Sequence, residues 1–384
     1  MWRGLASNML TFLIVGLFLL VGVVIWGQSQ FTAAGPLQQA ICLRVERGSN
    51  MTKVSHMLEA QDAVTNATIF RLGADYSEKS DRLKAGSFLI RPGASMEQIV
   101  EQVTRGGAST CGTEIVYRVG VTRTEAQVRE LDPESEQFIE VAAFDPAAGS
   151  APVAYQEKRA LADTRYRIAL AEGVTSWQVV EALKSMEMLT GEIATRPDEG
   201  RLAPDSYEVS EGADRNAVLA RMQEAQNLRI AAAWESRQPG LPLSNPEEML
   251  ILASIIEKET GVPEERRQVA SVFINRLNQG MKLQTDPTVI YGLTKGQGVL
   301  GRGLRQSELR RQTPWNTYVI NGLPPTPIAN PGRESLQAAV APEDTDYLFF
   351  VADGTGGHAF ASSLQEHNRN VAKWREIEAG RANN

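Results

Sequence analysis

Cysteine and histidine are scarce in this 384-residue chain, with two of the first and three of the second. Cys42 and Cys111 are too few for a cysteine metal cluster. His56, His358 and His367 form no HExxH pattern, so no metal site and no cofactor is expected. The two cysteines can pair if both face an oxidising compartment; their spacing leaves that open. An excess of positive charge is also missing. The formal net charge is −7 and no Lys/Arg cluster interrupts it, which argues against a nucleic-acid partner. The Gly-rich stretch Gly296 to Gly303 lacks the Gly-Lys-Ser/Thr ending of a phosphate-binding loop. Long hydrophobic runs are absent with one exception.

That exception is Met9 to Trp26, roughly 18 apolar residues broken only by Thr11 and two glycines, enough to span a bilayer. Arg3 precedes it, and no charge follows in Gln28 to Thr32. The positive-inside rule then assigns residues 1–8 to the cytoplasm, 9–27 to the membrane and the remainder to the outside. Ala33-Ala34 is a weak cleavage site far beyond the apolar run, so the segment reads as an uncleaved anchor. A short linker, 28–39, follows. The chain is too long for one ordinary core and suggests two or three domains.

An internal repeat comes next. One copy runs from Leu43 to Leu58, the other from Ile168 to Leu183. Each reads as a short strand, a Gly turn (Gly48, Gly173), a polar cap and an amphipathic helix. The second halves also match: Leu83 to Gly93 parallels Leu202 to Gly212, each a strand and turn before a helix (Ser95 to Val103; Asp214 to Met222). Two small α+β modules are therefore expected at 40–109 and 161–240. Between them, 110–160 holds one strand, Ile115 to Val119, and an acidic, Ala/Pro-rich stretch that reads as a mobile surface insertion.

The last segment, 241–384, carries the chemistry. Asn245 is a plausible N-cap, Pro246 fits the first helical position, and Glu247 and Glu248 suit the positive end of the dipole. Met249 to Ile256 are apolar on nearly every side, so the helix should be buried. Gly261 supplies the stop. Glu257 then falls in the last turn, directly after Ile255 and Ile256. Burial and the carbonyl end of the helix both favour its neutral form, as a general acid requires. Glu259, beside Lys258 and Thr260, reads as an ordinary solvated residue. A second helix is expected from Pro263 to Gln279, closed by Gly280. Asp286 before Pro287 is a cap candidate for a third. The end reads as helix (Arg333 to Val340), strand (Tyr347 to Val351), Gly-rich turn, strand (His358 to Ala361) and terminal helix (Ser363 to Glu378). His358 and His367 suit packing and hydrogen bonding.

Several blocks resemble the endolytic murein transglycosylase (YceG-like) family: Ala253-Ser-Ile-Ile-Glu-Lys-Glu-Thr260, Val269-Ala-Ser-Val-Phe-Ile-Asn-Arg-Leu277, Leu283-Gln-Thr-Asp-Pro-Thr-Val-Ile-Tyr-Gly292, Asn316-Thr-Tyr318, Gly322-Leu-Pro-Pro-Thr-Pro-Ile328, Asn330-Pro-Gly332 and Phe350 to His358. They are long, ordered and spread over about 110 residues. The resemblance implies a bacterial inner-membrane protein facing the periplasm. Its expected layout is an α+β fold with a transmembrane helix, two LysM-like modules and a mixed, helix-rich catalytic domain. It further implies cleavage within peptidoglycan glycan strands, leaving 1,6-anhydro-N-acetylmuramic acid ends, beside the peptidoglycan synthases. Glu257 matches the family's catalytic glutamate. Gln284, Asp286, Asn316 and Tyr318 lie in the matching loops and are the expected sugar-binding groups. The chain departs from the family at Arg201 to Ala203, where bulky aromatics are missing. A non-catalytic, membrane-anchored peptidoglycan-binding scaffold is the alternative; Glu257 in its full Ile-Ile-Glu-Lys-Glu-Thr setting favours the enzyme. A hydrolase using water and a second carboxylate such as Asp286 would differ only in product.

Overall fold

The computed structural model describes residues 2–105, 110–161 and 163–382. Residues 106–109, at the end of the expected first module, and the side chain of Arg3 lie outside the described residues. The fold is mixed α+β and divides into two compact units. One holds Met1–Ile115, Gln127–Ala143 and Ala151–Arg165; the other holds Val116–Ala126, Phe144–Ser150 and Tyr166–Asn384.

The first unit opens with helix α1 (Trp2–Thr32). Its stretch Thr11–Thr32 has a mean hydropathy of 2.2 and is entirely unburied. At 1.5 Å per residue that stretch is about 33 Å long, enough to cross a bilayer. The helix also takes in Gln28 to Thr32, expected as linker, because no Pro or Gly breaks the chain there. Strand β1 (Ile41–Val45), helices α2 (Met51–Ala60) and α3 (Ala67–Tyr76), strand β2 (Gly86–Ile90) and helix α4 (Met96–Thr104) follow. Asn50, Asn66 and Ser95 cap the three helices through their side chains. Leu43, Val54, Leu58, Phe70, Ile90 and Ile99 form the core.

Residues 110–160 are not the mobile insertion expected from their composition. They form strands β3 (Thr113–Val119), β4 (Thr124–Asp132) and β5 (Gln137–Phe144) and helix α5 (Val153–Arg159). Buried Ile115, Tyr117, Val119, Ala126 and Val128 supply the apolar face that an average over the segment conceals. Part of the acidity is neutralised locally: Arg129 pairs with Glu114 at 2.6 Å, and Lys158 pairs with Glu130. The segment is also tied back to β1 and β2. Cys111 is disulfide-bonded to Cys42, with their Cα atoms 5.7 Å apart. Asp163 accepts hydrogen bonds from Arg44 Nε and from the Ser87 hydroxyl.

The second repeat lies in the second unit as strand β6 (Arg165–Leu170), helix α6 (Ser176–Ser185), strand β7 (Ser206–Val209) and helix α7 (Arg215–Glu235). Strands β3 to β7 form one sheet in the order β5-β4-β3-β6-β7. Both copies pair their strands antiparallel in the same register. Leu43 faces Phe88 in the first copy, and Ile168 faces Tyr207, at the matching positions, in the second. The turn glycines match as well, with φ of 80° at Gly48 and 78° at Gly173. The copies diverge at α7, which runs on to Glu235 rather than ending near Met222. Its buried Gln226, Ile230 and Ala233 continue the helical spacing. Leu202 and Ala203, where family aromatics are missing, are fully buried.

Helix α8 (Pro246–Glu259) is the centre of the second unit. The Asn245 side chain accepts from Glu248 N at 2.9 Å, and the Glu248 carboxylate accepts from Ser244 N at 2.7 Å. Met249 to Ile256 are buried, and the apolar ones share one cluster with residues of α7, α9 (Arg266–Asn278) and α12 (Arg333–Val340). The helix ends because Thr260 turns extended, with φ −135° and ψ 134°. Gly261, expected as the stop, does not take up a positive φ. The remaining elements are α10 (Asp286–Thr294), α11 (Gln306–Leu309), α12 (Arg333–Val340), hairpin β8 (Phe349–Ala352) and β9 (His358–Ala361), and α13 (Leu364–Ala382).

The Cys42–Cys111 bond closes a loop with a sequence separation of 69. Chain entropy alone then stabilises the first unit by on the order of 4 kcal/mol, an upper value for such bonds. Replacing both residues by Ser is expected to lower the unfolding free energy by about 2–4 kcal/mol in denaturant titrations. An unchanged midpoint would mean that the bond constrains nothing.

Candidate active site

The last turn of α8 presents two carboxylates. Two residues apart on a helix means a rotation of about 200°, so Glu257 and Glu259 address opposite faces. Their surroundings differ accordingly.

Glu257 is half-buried. Its Oε2 accepts a hydrogen bond from Gly332 N at 2.9 Å. Gly332 is the N-cap of α12, so the carboxylate meets the end of that helix where unpaired N–H groups point outward. A second carboxylate, Glu172, stands at the same place. A Cβ on Gly332 would lie 1.7 Å from Glu172 Oε1, so only glycine leaves room for the side chain there. Partial burial, and then the charge of Glu257, raise the Glu172 carboxyl above the usual carboxylate range; Arg266 opposes them. Arg266 is buried, and its Nη2 lies 3.5 Å from Glu172 Oε2.

This arrangement depends on Asn330. Its side chain is fully buried. Oδ1 accepts from Leu202 N at 2.9 Å, and Nδ2 donates to Val174 O at 3.0 Å. Its backbone exchanges two more bonds with the same turn, Asn330 N to Val174 O and Gly173 N to Asn330 O. The turn that carries Glu172 is thereby stitched to the segment that carries Gly332. Lys258 Nζ reaches across from α8 to Gly173 O at 3.2 Å. Sequence reasoning missed Glu172, Arg266 and the part played by Asn330. The one available signal was the repeat itself, in which Glu172 replaces Arg47 immediately before the matched glycine.

Glu259 is not the solvated residue expected. It is half-buried, and its Oε1 accepts from the Thr285 hydroxyl. Burial raises its carboxyl above the usual range; the Thr285 hydrogen bond opposes the rise and the charge of Asp286 adds to it. Asp286 is the first residue of α10 rather than its cap, and its Oδ1 accepts from Tyr318 OH at 2.7 Å. Burial first, then that hydrogen bond, push the Tyr318 phenol upward. Gln284 is exposed, with a positive φ of 50°, and its N–H bonds Thr317 O at 3.2 Å. Asn316 is fully buried, and its amide donates to the carbonyls of Glu308, Leu309 and Arg311. Its Oδ1 accepts from Tyr318 N, so Asn316 braces a loop with its amide hydrogens already engaged. Asp286 and Tyr318 thus gather on the Glu259 side, although the sequence grouped them with Glu257. His358 Nδ1 lies 2.7 Å from Glu265 Oε2 and the ring packs edge-on against Phe350. His367 stacks on Phe349.

A carboxyl whose pKa is raised on folding favours the folded state most while it is protonated. That contribution is complete below about pH 4.5, the ordinary carboxylate value, and is lost as pH rises through the raised value. Glu259→Gln keeps an acceptor for Thr285 and removes the titration. Its melting temperature is expected to fall less than the parent's as pH rises from 4 into the neutral range. Parallel melting curves would show that Glu259 is not held above its ordinary range.

The YceG-like family model matches residues 43–373. The endolytic murein transglycosylase of Bacillus subtilis is 27% identical over 338 residues, covering 86% of this chain and 84% of that protein. The protein of that name from Streptococcus pneumoniae serotype 2 is 25% identical over 346 residues, covering 87% of this chain. This chain spans 58% of the length of that relative. The crystal structure of a yceG-like protein from Listeria monocytogenes aligns with a TM-score of 0.45 and 27% identity, over 86% of this chain and 99% of that one. With the match extending over most of its length, the chain belongs to the YceG-like family.

Proposed function

We propose that this protein is an endolytic peptidoglycan lytic transglycosylase with Glu257 as its acid and base. The observation that carries the reading is the held carboxylate at the end of α8, fixed by Gly332 N at 2.9 Å, in a chain whose relatives bear the name endolytic murein transglycosylase. In the proposed reaction the Glu257 carboxyl protonates the leaving oxygen and the C1–O bond of the muramoyl sugar breaks. The C6 hydroxyl of the same sugar then attacks C1 and gives its proton to the Glu257 carboxylate. No water is consumed, and a 1,6-anhydro end results. Glu172 faces the same spot. Part of the upward push on its carboxyl is the charge of Glu257, so it ionises more readily while Glu257 holds the proton and then acts as the second negative group beside the oxocarbenium-like carbon. Gln284, Asp286 and Tyr318 contact sugars farther from the bond, supported by the exposure of the first two and by the Asp286–Tyr318 hydrogen bond.

The reading extends to placement. The α1 helix anchors the chain once in the inner membrane with the catalytic part in the periplasm, where strands leave membrane-bound synthases. The first repeat copy serves as a LysM-like glycan-orienting module. Its support is the strand–helix–helix–strand–helix order and the register shared with the second copy.

Glu257→Gln is expected to lower cleavage of purified glycan strands by at least 10²–10⁴-fold without changing the melting temperature. Mass spectrometry of the parent's products should find ends one water lighter than a hydrolase would leave. Residual activity comparable to the parent's, or a larger loss in Glu259→Gln, would place the acid on the opposite face of α8.

Gly332→Ala tests Glu172. The new Cβ would displace the far end of the Glu172 side chain, which can swing away. Activity is expected to fall about tenfold or more, with a melting temperature close to the parent's. Full activity would show that Glu172 has no part in the reaction.

A further inference from the structure

A cleft of about 610 Å³ opens beside α8, lined by Arg196, Asp198, Glu199, Lys295, Trp315 and others. It is well braced. Glu199 accepts from Ser176 N at 2.7 Å and from Tyr291 OH at 3.2 Å. Trp315 Nε1 donates to Thr326 Oγ1 at 2.9 Å. Lys295 adopts a left-handed φ of 54° at the end of α10, and its N–H bonds Tyr291 O at 2.7 Å. That backbone places its ammonium 3.3 Å above the Trp315 ring centroid.

The cleft is not built to stack a sugar, because the Trp315 face is already covered by a cation. Its remaining chemistry is charge. Arg201 and Glu247 neutralise one another in a salt bridge. Arg196, Asp198 and Lys295 make no salt bridge among the described residues. Two cations, Arg196 and Lys295, and the Asp198 carboxylate therefore line the cleft outside any salt bridge, and the bound carboxylate of Glu199 feels the charge of Arg196. They suit a ligand that carries carboxylates together with an amine, and not a neutral sugar.

Glu247 lies ten residues before Glu257 on α8, about 15 Å along the axis. The cleft is thus displaced along the helix from the Glu257 carboxylate. The link is physical: Lys258 feels the charges of both Glu257 and Glu199.

We propose that this cleft binds the peptide substituent of the glycan strand, a short zwitterionic peptide, and so makes the enzyme prefer peptide-bearing strands to bare glycan. The inference rests on the transglycosylase reading and adds its substrate class.

The test uses the full chain in detergent. Glu257→Gln is titrated with peptide-bearing strands and with strands whose peptides have been removed by an amidase. Tighter binding of the peptide-bearing strands is expected. Adding Lys295→Gln and Arg196→Gln should weaken that binding about tenfold or more and leave bare-strand binding unchanged. In the otherwise unaltered enzyme the same pair should raise KM on peptide-bearing strands by a similar factor with kcat unchanged. Equal affinity for the two strands, or parent-like affinity in the charge-deleted chain, overturns the proposal. If the parent cleaves neither strand yet binding still depends on Lys295 and Arg196, the cleft stands and the transglycosylase reading falls.

Discussion

The buried side chain of Asn330 is the interaction on which the site depends. One amide joins three stretches of chain, the Gly173–Val174 turn, Leu202 and the segment before α12. No local rule specifies such a contact, because Asn330 is 156 positions from Val174. An unsatisfied amide at that depth would cost more than the bonds individually contribute, so partial loss of the contact is strongly disfavoured. Two carboxylates held together in this way do not drift apart to relieve their repulsion. The two carboxyl groups are confined by the neutral hydrogen bonds around them.

The α8 helix places two acids in the same turn in unlike settings. One meets a helix N-terminus and a neighbouring carboxylate; the other meets a threonine hydroxyl and the first turn of α10. The rotation between them is set by helix geometry and nothing else. A frame this fully packed also leaves little freedom to exchange their parts, since Met249 to Ile256 are buried on all sides.

Much of this helix was legible in the sequence. Asn245, Pro246 and the apolar run fix its start and its burial, and α12 was legible at both ends. The repeat was legible too, because the period-2 strands and turn glycines carry an aliphatic and an aromatic side chain to the same register in both copies. What stayed hidden has a common cause. Strand β4 was concealed because its charged residues find partners on other elements, Arg129 in Glu114 and Glu130 in Lys158. The burial of Glu259 depends on Thr285, and Asn316 is occupied by carbonyls that only the folded loop assembles. Glu172 was invisible as a site residue because its partner Gly332 contributes an absence, a missing Cβ, that becomes meaningful only when the two segments meet.

The paired turns of the repeat have an evolutionary consequence. Gly48 and Gly173 take the same left-handed backbone, and each precedes a side-chain-capped helix. The shape of the turn is therefore set by the glycine and the cap, and the residue just ahead of the glycine contributes nothing to it. That position is free to vary, and it holds Arg47 in one copy and Glu172 in the other. A duplicated scaffold with one shape-neutral position per copy can acquire a new reactive group by a single codon change without renegotiating its fold.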